Sequence, residues 1–200
     1  MRLDKVVLRT IVSTLCAIAL LCGATFAFAT WLYPSTMMKI AYEIGDDPGA
    51  IRYAYRSYER TNELYYVVFA MEVAIGIDDY GEVEFYAERF VEDDGFETYC
   101  AEVDGERNYA VGTYAKYAYG QLVMAEYEQG KKQEAFDHAT ESLNGGFAEN
   151  IAVIALLFTA MEHQDGATVN AVVAKMQEIS LTLEDGADKT YLDKILENLK

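Results

Sequence analysis

The sequence predicts an all-α fold: one N-terminal helix of membrane length, then a string of helix hairpins. Three observations carry that reading. Two prolines in 200 residues, with plentiful Ala, Leu, Glu and Met, favour helix throughout. Residues 11–33 contain no charge. Beyond them, four stretches repeat one pattern of apolar helix end, short polar turn and second apolar helix.

The apolar segment comes first. At about 1.5 Å per residue, a helix over residues 11–33 spans a hydrocarbon core of ~30 Å. Trp31 and Tyr33 stand where interfacial aromatic anchors stand. Residues 1–10 form a basic tail, with Arg2, Lys5 and Arg9 against Asp4, whereas Lys39 alone follows soon after the segment. The positive-inside rule then predicts a cytoplasmic tail and residues 34–200 outside the cytoplasm. A cleaved signal peptide and a secreted chain is the alternative, because Ala27-Phe28-Ala29 is an A-x-A site. Against it, the apolar run over 11–29 exceeds the usual length of about 7–15 residues. Leu15 and Leu21 directly precede Cys16 and Cys22, unlike the small residues of a bacterial lipoprotein signal. Ala19, Gly23 and Ala27 recur every four residues, a spacing that lets a second membrane helix approach, including that of a homodimer partner.

The repeated stretches are residues 41–60, 74–92, 124–143 and 160–179. Their second helices align on Ala50, Val83, Ala135 and Val169, spaced by 33, 52 and 34 residues. The middle gap holds one repeat and an insertion. Four residues after each marker come Ala54, Ala87, Ala139 and Val173; seven or eight after it come Tyr58, Phe90 with Val91, Leu143 and Met176. That spacing makes one apolar stripe per helix. Helices are expected near 36–44, 48–60, 63–77, 81–92, 96–103, 108–129, 132–143, 148–163, 167–179 and 188–199. Asp47-Pro48 reads as an N-cap with a first-turn proline, and Asn62 as the cap of the following helix. Asp104-Gly105 bounds the inserted segment, and Gly145-Gly146 breaks the chain between the third and fourth units. Leu192, Ile195, Leu196 and Leu199 share one face of a closing helix that caps the stack.

Here the chain resembles the tetratricopeptide repeat family. The match is fullest over 116–143, at Tyr119, Leu122, Tyr127, Gly130, Ala135, Ala139 and Leu143, and extends to Gly45, Ala50 and Ala54. The family's small residue in the middle of the first helix is replaced by Met38, Met71, Val123 and Leu157, and its turn glycine by Asp78 and Gln164. The layout of short basic tail, single span and repeat domain resembles bacterial proteins. The resemblance implies a concave binding face lined by the first helix of each hairpin. The positions that fall on it are Tyr65, Glu72, Tyr117, Met124, Tyr127, Glu128 and Phe158.

Charge bounds the partner. The net charge is −17; the residues before 34 contribute +2, so the remainder carries −19. A nucleic-acid reader needs a basic face, so nucleic acid is excluded as a partner. Acids among adaptable Tyr and Met side chains suit a basic protein or peptide. Cys100 has no second cysteine in the domain to pair with. His138 and His163 lack a second His or Cys at ligand spacing, so no metal is expected; His138 reads as a solvated residue on a polar face. Asp78-Asp79 and Glu92-Asp93-Asp94-Gly95 lack the alternation of a calcium loop. No nucleophile elbow, phosphate loop or dinucleotide fingerprint occurs, so neither enzyme activity nor a cofactor is expected. The function that follows is a membrane-tethered scaffold binding another protein. The alternative is a structural subunit held in a membrane complex through its span.

Overall fold

A computed structural model describes residues 5–110, 112–141 and 151–199 of the chain. Among them there is no strand, and the all-α class holds. The chain divides into two compact units, residues 1–62 and 63–200.

The first unit holds α1 (Lys5–Leu32), α2 (Pro34–Glu43) and α3 (Asp47–Thr61). Of α1, Val7–Leu32 is long and apolar enough to cross a membrane, about 39 Å at 1.5 Å per residue, and its side chains are exposed as far as Phe28, with Ala29, Thr30 and Leu32 half-buried. The helix starts well before residue 11, because nothing in the basic tail breaks it. Only Tyr33 separates it from α2. Asp46, not Asp47, caps α3, its Oδ1 accepting from the Gly49 amide at 3.1 Å. Pro48 then falls in the first turn, where a missing N–H costs nothing. Asn62 ends α3 rather than starting the next helix: it takes the left-handed conformation (φ 57°) that asparagine tolerates.

The second unit runs α4 (Leu64–Gly76), α5 (Tyr80–Val91), α6 (Phe96–Arg107), α7 (Thr113–Glu128), α8 (Lys132–Glu141), α9 (Ile151–Glu162), α10 (Gly166–Thr182) and α11 (Ala187–Asn198). Helices α4 and α5, α7 and α8, and α9 and α10 pack as hairpins; α5 also packs on α7, and α7 and α8 pack on α9. Met71, Val123 and Leu157, like Met38 in the first unit, are fully buried. Each contributes roughly 1.5–3 kcal/mol of burial. Ala87 and Ala139 lie buried on the second helices, letting backbones approach closely. Leu192 of α11 is buried, with Ile195, Leu196 and Leu199 packed on the same core. Leu143, Gly145 and Gly146 lie outside the described residues.

The inserted segment folds as α6 and docks through aromatic rings. Phe90 meets Phe96, Tyr99 and Tyr114 edge-on, with centroids 4.9, 5.4 and 6.2 Å apart. Asp104-Gly105 does not end α6. Asp104 is buried and accepts the amides of Gly112 (2.7 Å) and Tyr114 (2.9 Å), capping α7 from outside that helix. For this reason α7 starts at Thr113 and not near 108.

Four turns share one geometry. Gly45, Asp78, Gly130 and Gln164 all have positive φ, at 77°, 55°, 82° and 54°. The residue after each donates its amide five positions back: Asp46 to Ala41, Asp79 to Ala74, Lys131 to Glu126 and Asp165 to Ala160, at 2.8–3.0 Å. The positive-φ residues donate three back, to Tyr42, Ile75, Tyr127 and Met161. These are Schellman turns. The markers Ala50, Val83, Ala135 and Val169 then donate four back to open each second helix. The four turns are therefore equivalent bond by bond.

Candidate functional site

Three of the seven expected contact residues converge on one face of the second unit. Tyr65 and Glu72, two helical turns apart on α4, share a face of that helix. Tyr65 is 48% exposed, its ring against Tyr66 and Phe69. The Tyr114 hydroxyl donates to Glu72 Oε1 at 3.3 Å. Tyr114 packs against Tyr117 and Tyr99, with centroids 5.7 and 6.3 Å away, and the Arg107 guanidinium lies 5.7 Å from the Tyr114 ring centre. Burial, reinforced by the Glu72 carboxylate, pushes Tyr99 up to about 12 and raises Tyr114 and Tyr117 as well. All three phenols stay protonated at neutral pH and act as neutral hydrogen-bonding rings. The arrangement is a tyrosine platform with an exposed carboxylate at its edge.

Met124 and Glu128 continue the stripe of Tyr117 along α7, both half-buried. Glu128 Oε1 lies 2.8 Å from His163 Nε2 on the rim between α7 and α9. Phe158, on α9, is 59% exposed and available. Tyr127 is not: it is 4% exposed within the core, and its hydroxyl donates to Asp165 Oδ2 at 2.9 Å. Lys132 and Thr168 donate to the same oxygen, and the Lys132 ammonium above all holds the Asp165 carboxyl well below the usual range. Tyr127 therefore ties α7 to the start of α10 and is removed from the contact surface.

A second cluster escaped the sequence reading. Glu126 is 2% exposed, although it occupies the turn position held by Ala41, Ala74 and Ala160 in the sister hairpins. Its Oε1 lies 2.7 Å from His138 Nδ1, and its Oε2 is buried without a partner. His138 is thus a half-buried partner of a carboxylate, not a solvated residue. At the positions of Glu126 and His138 relative to the turn, the sister hairpins carry Ala41 and Tyr53, Ala74 and Tyr86, and Ala160 and Val172. Burial raises the Glu126 pKa, and His138 opposes the rise. Oxygens of Glu84, Glu126 and Glu134 lie within 4.8 Å of one another, but the Lys131 ammonium bonds both Glu84 oxygens and supplies a counter-ion. The signal that would have found Glu126 is an alignment on the turns, which sets a glutamate among three alanines.

Cys100 is buried, and burial pushes its thiol up to about 12, so it carries no thiolate at neutral pH. On α1, Ala19, Gly23 and Ala27 are exposed, and a side chain built at Gly23 would meet nothing within 4 Å. No family model, curated protein or solved structure matches this chain.

Proposed function

We propose that this chain is a membrane-tethered protein-binding module, with α1 as the tether and tetratricopeptide-like hairpins as the binding domain outside the cytoplasm. The observation that carries the reading is the platform of Tyr65, Tyr99 and Tyr117, underlain by the buried Tyr114, beside the exposed Glu72. Residues 63–200 hold 28 acidic and 9 basic side chains, a net −19. Neutral phenols give large, rigid contact area at low entropic cost, and the surrounding field attracts a basic partner. The partner is a basic segment of another protein, and the platform binds it without chemistry. Replacing Tyr65 and Tyr117 by alanine in the full-length chain is expected to lose partner capture while circular dichroism stays unchanged. Undiminished capture by the folded variant contradicts the assignment.

A second reading rests on α1. Ala19, Gly23 and Ala27 leave an open small-residue face that a second membrane helix can fill, from a complex partner or another copy of this chain. Exchanging α1 for an unrelated membrane helix separates the two: a binding module keeps its partner and a subunit held through its span loses it. A signal peptide cut after Ala29 would instead leave a secreted chain beginning at Thr30.

A further inference from the structure

The first unit carries a pocket of 480 Å³ where α1 ends, lined by Ala27, Trp31, Pro34, Arg56, Glu59 and Arg60. That volume lies within the ~300–1,000 Å³ of small-ligand sites. Its charge is anomalous for this chain. Residues 34–62 balance Lys39, Arg52, Arg56 and Arg60 against Glu43, Asp46, Asp47 and Glu59, so the excess acidity lies in residues 63–200. In a chain with 33 acids, neither Arg56 nor Arg60 forms an ion pair among the described residues. They stand one helical turn apart on α3, close enough for both guanidiniums to reach one anion.

Arg60 is already positioned. Its Nη1 donates to the Leu32 carbonyl at the end of α1 (3.3 Å), and its guanidinium lies 5.3 Å from the Trp31 ring centre. One donor of five is spent on that carbonyl, leaving the remainder for a ligand. Trp31 is the sort of residue that settles at headgroup level when an apolar helix leaves a bilayer. We propose that this pocket is a phospholipid headgroup site: Arg56 and Arg60 hold the phosphate, Glu59 accepts from a hydroxyl or ammonium of the headgroup, and the acyl chains run alongside α1. The site rests on α1 being retained as a membrane helix. Its role is to seat the base of the tether on the bilayer, while the acidic second unit is repelled by anionic lipid.

The chain contains one tryptophan, Trp31, so its emission reports the pocket directly. The test uses full-length protein extracted in detergent, with its intact mass recorded first. Phosphatidylglycerol, phosphatidylethanolamine, phosphatidylcholine and inorganic phosphate are then titrated separately while Trp31 emission is followed. Phosphatidylglycerol and phosphatidylethanolamine are expected to saturate the signal at one lipid per chain. The double variant Arg56→Gln/Arg60→Gln is expected to bind them roughly thirtyfold more weakly, at about a kcal/mol of attraction per basic residue. Arg52→Gln, on the same helix outside the pocket, keeps wild-type binding. Glu59→Ala is expected to erase the preference over phosphatidylcholine, which has no headgroup donor. Equal binding by wild type and the double variant overturns the proposal, as does displacement of the lipid by inorganic phosphate, which assigns the site to the free anion. An intact mass lacking residues 1–29 sinks the tether and the pocket together; a full mass without lipid binding sinks the pocket alone.

Discussion

Neighbouring side chains in this protein have opposite roles, and the difference is measurable residue by residue. Leu157 is fully buried at the centre of α9, whereas Phe158 beside it points outward. Leu157→Ala is expected to cost about 2–5 kcal/mol, and Phe158→Ala to stay within about 0.5 kcal/mol, in urea unfolding of the full chain. Similar costs for both would contradict the burial pattern. Glu126 invites a pH test. Its carboxyl is raised by burial, so the folded state binds its proton more tightly than the unfolded state does. The raised pKa favours folding most below the ordinary glutamate value of about 4.3, and this advantage is lost as pH rises through the folded value. Relative to wild type, Glu126→Gln should therefore gain stability between pH 4 and pH 7. A difference that is flat with pH would show that His138 compensates the buried charge in full.

At the scale of the element, four Schellman turns recur with one geometry. Two use glycine in the left-handed conformation, and Asp78 and Gln164 adopt it without glycine. A left-handed residue with a side chain is strained by roughly 1–2 kcal/mol, partly offset because glycine loosens the unfolded chain. Gln164→Gly is accordingly expected to stabilise the protein by about 0.5–1 kcal/mol, read as a higher urea midpoint; destabilisation would mean the turn is held by the glutamine side chain. These turns also explain what could be read in advance. The stripes that begin at Ala50, Val83 and Ala135 located the second helices because burial at fixed spacing is written locally; on α10 the buried positions are Val172 and Met176, with Val169 and Val173 half-buried. The start of α7 was not legible, since it depends on Asp104 reaching across the loop to Gly112 and Tyr114. Nor was the burial of Tyr127, which follows from Asp165, 38 residues away. Of the expected contact residues, Tyr65, Glu72 and Tyr117 did converge, but Tyr99, Tyr114 and Arg107 joined them through the inserted α6, whose placement no repeat pattern encodes.

For the whole molecule, charge and hydrophobicity divide the labour. The apolar α1 and the charge-balanced α2 and α3 suit a bilayer and its headgroups, and residues 63–200 carry the excess acidity and eleven of the sixteen tyrosines. Protein extracted from native membranes is expected to keep residues 1–29, read as the full 22.4 kDa intact mass; a mass corresponding to a start at Thr30 would turn the tether into a signal peptide. The central claim is that the tyrosine platform, and not α1, holds the partner. Photo-crosslinking residues placed in turn at Tyr65, Tyr117, Ala19 and the exposed Gln133 of α8 test it most directly, in the full-length chain in its native membrane. The account predicts one shared protein adduct from positions 65 and 117 and none from 133 or 19. Adducts confined to position 19, with the platform silent, would contradict it and make the membrane helix the site of assembly.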